Sequence, residues 1–132
     1  MSEKLTATLS WIEHRMQPIL LAEYGSLRDQ SLVTAVTENE AAIVALGEQG
    51  RRDLLILTDV RDAVITDESL QAFKSVARAM KPYTKASAVV GITTVRRALL
   101  SIVNLFSTLE TRPFKDLSEA KDWLVEQADK GR

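Results

Sequence analysis

Asp53-Leu54-Leu55-Ile56-Leu57-Thr58-Asp59-Val60 is the stretch that decides the fold. Its centre is a continuous run of β-prone apolar residues with charges on both sides, the pattern of a strand buried on both faces. Thr66-Asp67-Glu68 follows as a helix cap with acidic first-turn residues, which suit the positive end of a helix dipole. Leu70, Phe73, Val76, Ala77 and Met80 then recur on one helical face, and Pro82 stands where the helix cannot continue. Ala86-Ser87-Ala88-Val89-Val90-Gly91-Ile92 reads as the next buried strand. Strand, helix and strand in this order predict a right-handed crossover between parallel strands.

Upstream, Ser10-Trp11-Ile12-Glu13-His14 reads as a strand near an edge, Arg15-Met16-Gln17-Pro18 as a turn, and Ile19 to Tyr24 as a second, buried strand. Gly25-Ser26 ends this hairpin. Leu32, Val36, Ile43 and Leu46 give helical spacing over Asp29 to Leu46, interrupted by polar Asn39-Glu40, with Gly47 or Gly50 as the stop. Downstream, Thr93 or Thr94 caps a helix running to about Leu109, and Arg112-Pro113-Phe114-Lys115 reads as an edge strand. A last helix spans about Glu119 to Asp129, capped by Asp116 or Ser118, with Ala120, Trp123, Leu124 and Ala128 inward. Trp11, Trp123, Phe73, Phe106 and Phe114 are expected in the core. The expected fold is α/β: a mixed four- or five-stranded sheet with four helices.

Composition excludes several functions. The 132 residues suit one domain, and 17 basic against 18 acidic residues leave a net charge of −1. That balance does not fit a strongly basic nucleic-acid-binding domain, and no aromatic–basic interleaving of the kind that binds single strands is visible. With no Cys and one His, thiolate chemistry, disulfides and multi-histidine metal sites are excluded. No apolar run is long enough to span a membrane. Met1-Ser2-Glu3-Lys4 leads into no signal-peptide core, so a cytoplasmic location is expected.

In order along nearly the whole chain, several segments resemble the STAS superfamily, in particular its small SpoIIAA-like/SEC14-like bacterial domains. They are Pro18 to Gly25, the strand with its acidic turn Leu57-Thr58-Asp59-Val60-Arg61-Asp62, Pro82-Tyr83 with Ala86 to Gly91, and Phe114 to Leu124. The resemblance implies a single SpoIIAA/STAS-like domain over 1–132 and a non-catalytic regulatory module working through protein contacts. In the best-known members a kinase phosphorylates a serine in an Asp-Ser-Ser-Gly-type loop at the start of the helix after the central strand. Here Asp59 to Ser69 contains no such motif, and Thr66 and Ser69 are the hydroxyls at the matching helix start. Related SEC14-like domains bind lipids through a larger, dedicated pocket, for which no segment here is long enough; the alternative function is a small-ligand domain taking an anionic or lipid-like molecule at the carboxyl edge of the sheet, near Gly91 to Thr94.

Few residues carry chemistry. Asp59 and Asp62 around Arg61 read as a metal site or an acid/base pair or, more plainly, as a polar turn with a loop ion pair. His14 has no nucleophile near it in sequence and reads as a solvated strand-edge residue. No catalytic set, metal or cofactor is therefore expected. Gly91, Thr93 and Thr94, with Arg96, join a strand to a helix N-terminus that can hold an anion, and Arg61 is expected beside them along the carboxyl edge. The helix Val95 to Leu109 carries an apolar arc of about 160°, wider than a surface helix needs. Its polar side has arginines but no Lys or Glu, the composition of an interface. Leu100 and Leu105 at the margins of the arc are expected to touch a second copy in a homodimer, and a further regulatory protein is a possible partner.

Overall fold

The computed structural model describes residues 3–91 and 111–130. Six strands form one mixed sheet: β1 (Glu3–Lys4), β2 (Leu9–His14), β3 (Gln17–Glu23), β4 (Leu54–Asp59), β5 (Thr84–Val90) and β6 (Arg112–Phe114). They lie side by side in chain order. The β1–β2 and β2–β3 pairs are antiparallel, and β3 to β6 run parallel. The described helices are α1 (Asp29–Glu48), α2 (Asp67–Met80) and α3 (Leu117–Asp129), with a single 3₁₀ turn at Lys81–Tyr83.

The α/β class is as expected, but the described sheet has six strands rather than four or five, with three helices in the described residues. The unforeseen strand is β1, only two residues long and so too short to show a period. It flanks β2 at Ser10 and Trp11, which moves β2 off the edge there. The expected fourth helix, 95–109, lies outside the described residues, as does Phe106.

Every residue of β4 is buried, as its unbroken apolar run requires. Alternation sorts its side chains. Leu54 and Ile56 join Leu20, Ala22 and Val89 against α1 and α2, while Leu55 and Leu57 join Ile19, Leu21, Ala88 and Val90 against α3. Two crossover helices on one face are what right-handed connections between successive parallel strands dictate.

Local chemistry sets the helix ends. Thr66 caps α2: its hydroxyl accepts from the Ser69 amide at 3.2 Å, and Ser69 Oγ accepts from the Thr66 amide at 2.8 Å. Of the two candidate caps for α3, Asp116 does the work, accepting from the Glu119 amide at 2.9 Å. Past α1, Gly50 takes the positive φ of 92°, whereas Gly47 is buried in the helix itself. There a Cβ would collide with the Tyr83 ring, so the glycine lets that ring close over α1.

The hairpin turn is tighter than the four residues expected. His14 pairs with Gln17, leaving Arg15 and Met16 as a two-residue loop with φ of 49° and 67°. Two positive φ values match the right-handed twist of the flanking strands. Of the aromatics expected in the core, Phe73 is fully buried, against Tyr24 edge-to-face at 5.5 Å. Trp11, Phe114 and Trp123 are only half-buried. Arginines explain the difference: Arg51 lies over Trp11, and Arg112 over both Phe114 and Trp123, so each ring keeps a cation-covered outer face.

Candidate functional site

The carboxyl ends of the parallel strands gather the chemistry-bearing residues. β4 ends at Asp59, whose residue is 6% exposed. A buried carboxylate needs compensation, and Arg61 supplies it as a fork. Arg61 Nε meets Oδ1 at 2.9 Å, Nη2 meets Oδ2 at 2.7 Å, and the Arg61 amide adds a third bond to Oδ1 at 3.1 Å. Asp59 holds the guanidinium above its ordinary pKa, chiefly through these hydrogen bonds. The loop ion pair expected at this turn is present, and Asp62 sits in it with φ 63°, exposed.

Arg61 also lies beside Gly91. A Cβ on Gly91 would stand 2.6 Å from the Arg61 amide nitrogen. The guanidinium itself is turned to Asp59, so its charge is largely neutralised within the turn. Thr93, Thr94 and Arg96 lie outside the described residues, as do Leu100 and Leu105.

Neighbouring loops lock together here. The Tyr24 amide donates to Asp59 O at 2.8 Å, the Val60 amide to Val90 O at 2.9 Å, and the Val64 amide to Leu27 O at 3.0 Å. Ser26, Asp29, Asp62 and Gly91 all have positive φ along this one edge. Backbone held in such conformations concentrates where a fold shapes a binding surface.

A cleft of about 370 Å³ opens at the same edge, lined by Lys4, Ala7, Thr8, Ser10, Glu23, Gly25 and Asp59. The sheet register builds it. Lys4 is opposite Ser10, and Glu23 is opposite Asp59 on the adjacent parallel strand. Period-two alternation puts Ser10, Glu23 and Asp59 on the α3 side of the sheet. Sequence reasoning named Asp59 but not Lys4, Ser10 or Glu23, because only the β1–β2–β3–β4 register brings them together.

Behind the cleft wall sits a polar network centred on Asn39, which is fully buried in α1. Asn39 Nδ2 donates to Thr8 Oγ1 and to the Tyr24 hydroxyl, both at 2.9 Å, and Thr6 Oγ1 donates to Asn39 Oδ1 at 2.5 Å. Burial pushes the Tyr24 phenol up to about 12, against a smaller opposing effect of the Asn39 hydrogen bond. The network ties the β1–β2 loop to α1 and so fixes one side of the cleft.

The two hydroxyls matched to the family's phosphorylation loop are both used in the α2 cap. Ser69 is fully buried and its Oγ donates to Thr66 O at 3.0 Å, while Thr66 is half-buried. His14 differs from expectation. It is half-buried and its Nε2 lies 2.7 Å from Asp122 Oδ1, because α3 passes over the end of β2. Arg15 reaches the same oxygen at 3.2 Å. Hydrogen bonding from His14, with the Arg15 charge, holds the Asp122 carboxyl below its ordinary range. Among the described residues no group of three or more His, Asp or Glu is placed to hold a metal ion, and no helix is long and apolar enough to cross a membrane.

No family model matches the chain, and neither a curated protein nor a solved structure matches it.

Proposed function

We propose that this chain is a non-enzymatic interaction or regulatory module of the STAS-like type, acting through protein contacts that include a second copy of itself. One observation carries the reading. At the β6 edge, Arg112 lies 5.7 Å from the Phe114 ring centroid and 5.8 Å from that of Trp123. The two rings are 5.5 Å apart, half-buried, beneath an exposed arginine. Trp and Arg are the residue types that dominate binding energy at protein interfaces, and Phe is enriched there. β6 is also the last strand of the sheet, with one side of its backbone unpaired among the described strands.

Light scattering on the wild type, Arg112→Glu and the double variant Leu100→Glu/Leu105→Glu tests the self-association. The wild type is expected to form a dimer, with Arg112→Glu weakening it. The double variant separates a contact through 95–109 from one through β6. A wild type that stays monomeric at high concentration removes the homodimer.

The cleft favours a second reading, a small-ligand domain at the carboxyl edge of the sheet. It has the placement expected of ligand sites in open α/β sheets, outside the carboxyl ends of parallel strands.

A further inference from the structure

We infer that the cleft between β1 and β4 is a site for a small zwitterion, a free α-amino acid or a molecule with the same paired charges. The inference rests on the second reading above and specifies its ligand. The volume, about 370 Å³, is near the lower end of the roughly 300–1,000 Å³ of small-molecule sites, room for one compact ligand.

Charge placement selects its chemistry. Glu23 and Asp59 stand abreast on adjacent strands, and Lys4 faces the cleft from β1. Asp59 is neutralised by Arg61, yet among the described residues Oδ2 accepts one hydrogen bond and keeps capacity for another. Glu23 is exposed and forms no ion pair within the described contacts, although Arg61 contributes a through-space attraction. The acceptors for an ammonium are therefore Glu23, Asp59 Oδ2 and the Ser10 hydroxyl. For a carboxylate, Lys4 supplies the charge. Thr8 Oγ1 accepts from Asn39, which leaves its hydroxyl proton to donate.

The same set disfavours the anionic or lipid-like ligands expected from sequence. With Asp59 neutralised by Arg61, the exposed Glu23 carboxylate still offsets the one lysine and repels a phosphate group, and a polar lining gives an acyl chain little to bury against. The wall is also preorganised. Asp59 is fixed by three hydrogen bonds and Thr8 by the buried Asn39, so little ordering remains for the ligand to impose.

The test is amide-resolved NMR of the full chain, titrated separately with the L-amino acids, with their N-acetyl and carboxamide derivatives, with dipeptides, and with inorganic phosphate and decanoate. One or more free amino acids are expected to move the Thr8, Ser10, Glu23 and Gly25 amides. N-acetylation, amidation, Glu23→Gln and Lys4→Met are each expected to weaken binding at least about tenfold, the loss of one charged contact. Both substituted side chains are exposed, so the variants keep the wild-type spectrum elsewhere. Dipeptides that bind more tightly than any free amino acid identify a peptide as the source of the paired charges. If phosphate or decanoate moves these amides and no amino acid or dipeptide does, the zwitterion assignment is overturned while the ligand-binding reading stands. If none of these probes moves them, both fail.

Discussion

Gly91 and Arg61 are packed backbone to backbone at the carboxyl edge of the sheet: a Cβ on Gly91 would lie 2.6 Å from the Arg61 amide nitrogen and 2.8 Å from its Cα. Gly91 also holds φ at 101°, a region that side chains rarely adopt. Gly50 has a similar φ of 92° but nothing within 4 Å of the same probe position. Gly91→Ala is therefore expected to destabilise the fold by more than the roughly 1–3 kcal/mol of a strained backbone alone. Gly50→Ala carries only the conformational part. Urea unfolding of the two variants checks the order, and equal losses refute the close-packing account.

Arg61→Met is expected to cost about 1–3 kcal/mol, because it leaves a buried carboxylate short of two of its three donors. The half-exposed guanidinium, with 48% of its side chain accessible, keeps the loss below that of a fully buried pair. Asp59→Asn combined with Arg61→Met is expected to recover part of the stability, since no unpaired charge is then buried. Denaturant midpoints of the single and double variants decide this; a double variant no better than Arg61→Met alone refutes it.

Asn39→Ala strands the Tyr24 hydroxyl and releases Thr6 and Thr8. The expected loss is about 2–4 kcal/mol, from unsatisfied buried partners and a small cavity. Thermal unfolding measures it, and a loss under about 0.5 kcal/mol places the network outside the structural core.

Tyr24 sets an alkaline limb. Its pKa rises from 10.0 to about 12 on folding, chiefly through burial. A raised folded value means that this contribution is fully present below pH 10 and is lost as the pH climbs through 12. Melting temperature is expected to fall across that window in the wild type and more gently in Tyr24→Phe. Parallel curves contradict the assignment.

Asp122 sets an acid limb of opposite sign. Its folded pKa lies below the ordinary 3.8, so its contribution is present above that value and lost as the pH falls through the folded one. Asp122→Asn is expected to flatten the melting curve in that acid range while leaving the alkaline limb unchanged. A wild type and variant with the same acid dependence dissociate Asp122 from the His14 contact.

Much of the architecture was legible because local pattern and tertiary role agree. β4 is an apolar run that is buried throughout, α2 has its apolar residues on one face, and Thr66 stands at its cap. The hairpin was legible as a pair of strands but not in its turn, since Arg15-Met16 lacks the Gly or Asn that usually marks two positive φ values. Asn39 read as an interruption. Its spacing from Leu32, Val36 and Ile43 puts it on the apolar stripe of α1, and a polar residue there signals a buried partner. The His14–Asp122 contact joins residues 108 apart, which no local pattern announces. Of the cleft, only Asp59 was visible; Lys4, Ser10 and Glu23 depend on register between separate strands.

The order of the sheet bears on how the chain is made. Since every described strand lies beside its neighbours in sequence, each one emerging from the ribosome finds its partner already synthesised. Helices α1 and α2 close one side along the way, but α3 comes last. Among the described residues it is α3 that covers Ile19, Leu21, Leu55, Leu57, Ala88 and Val90 on the growing sheet. The apolar cover that Ala120, Leu124 and Val125 give to that face is therefore delivered late in translation, so a nascent chain stalled before Leu117 lacks it and offers chaperones those side chains.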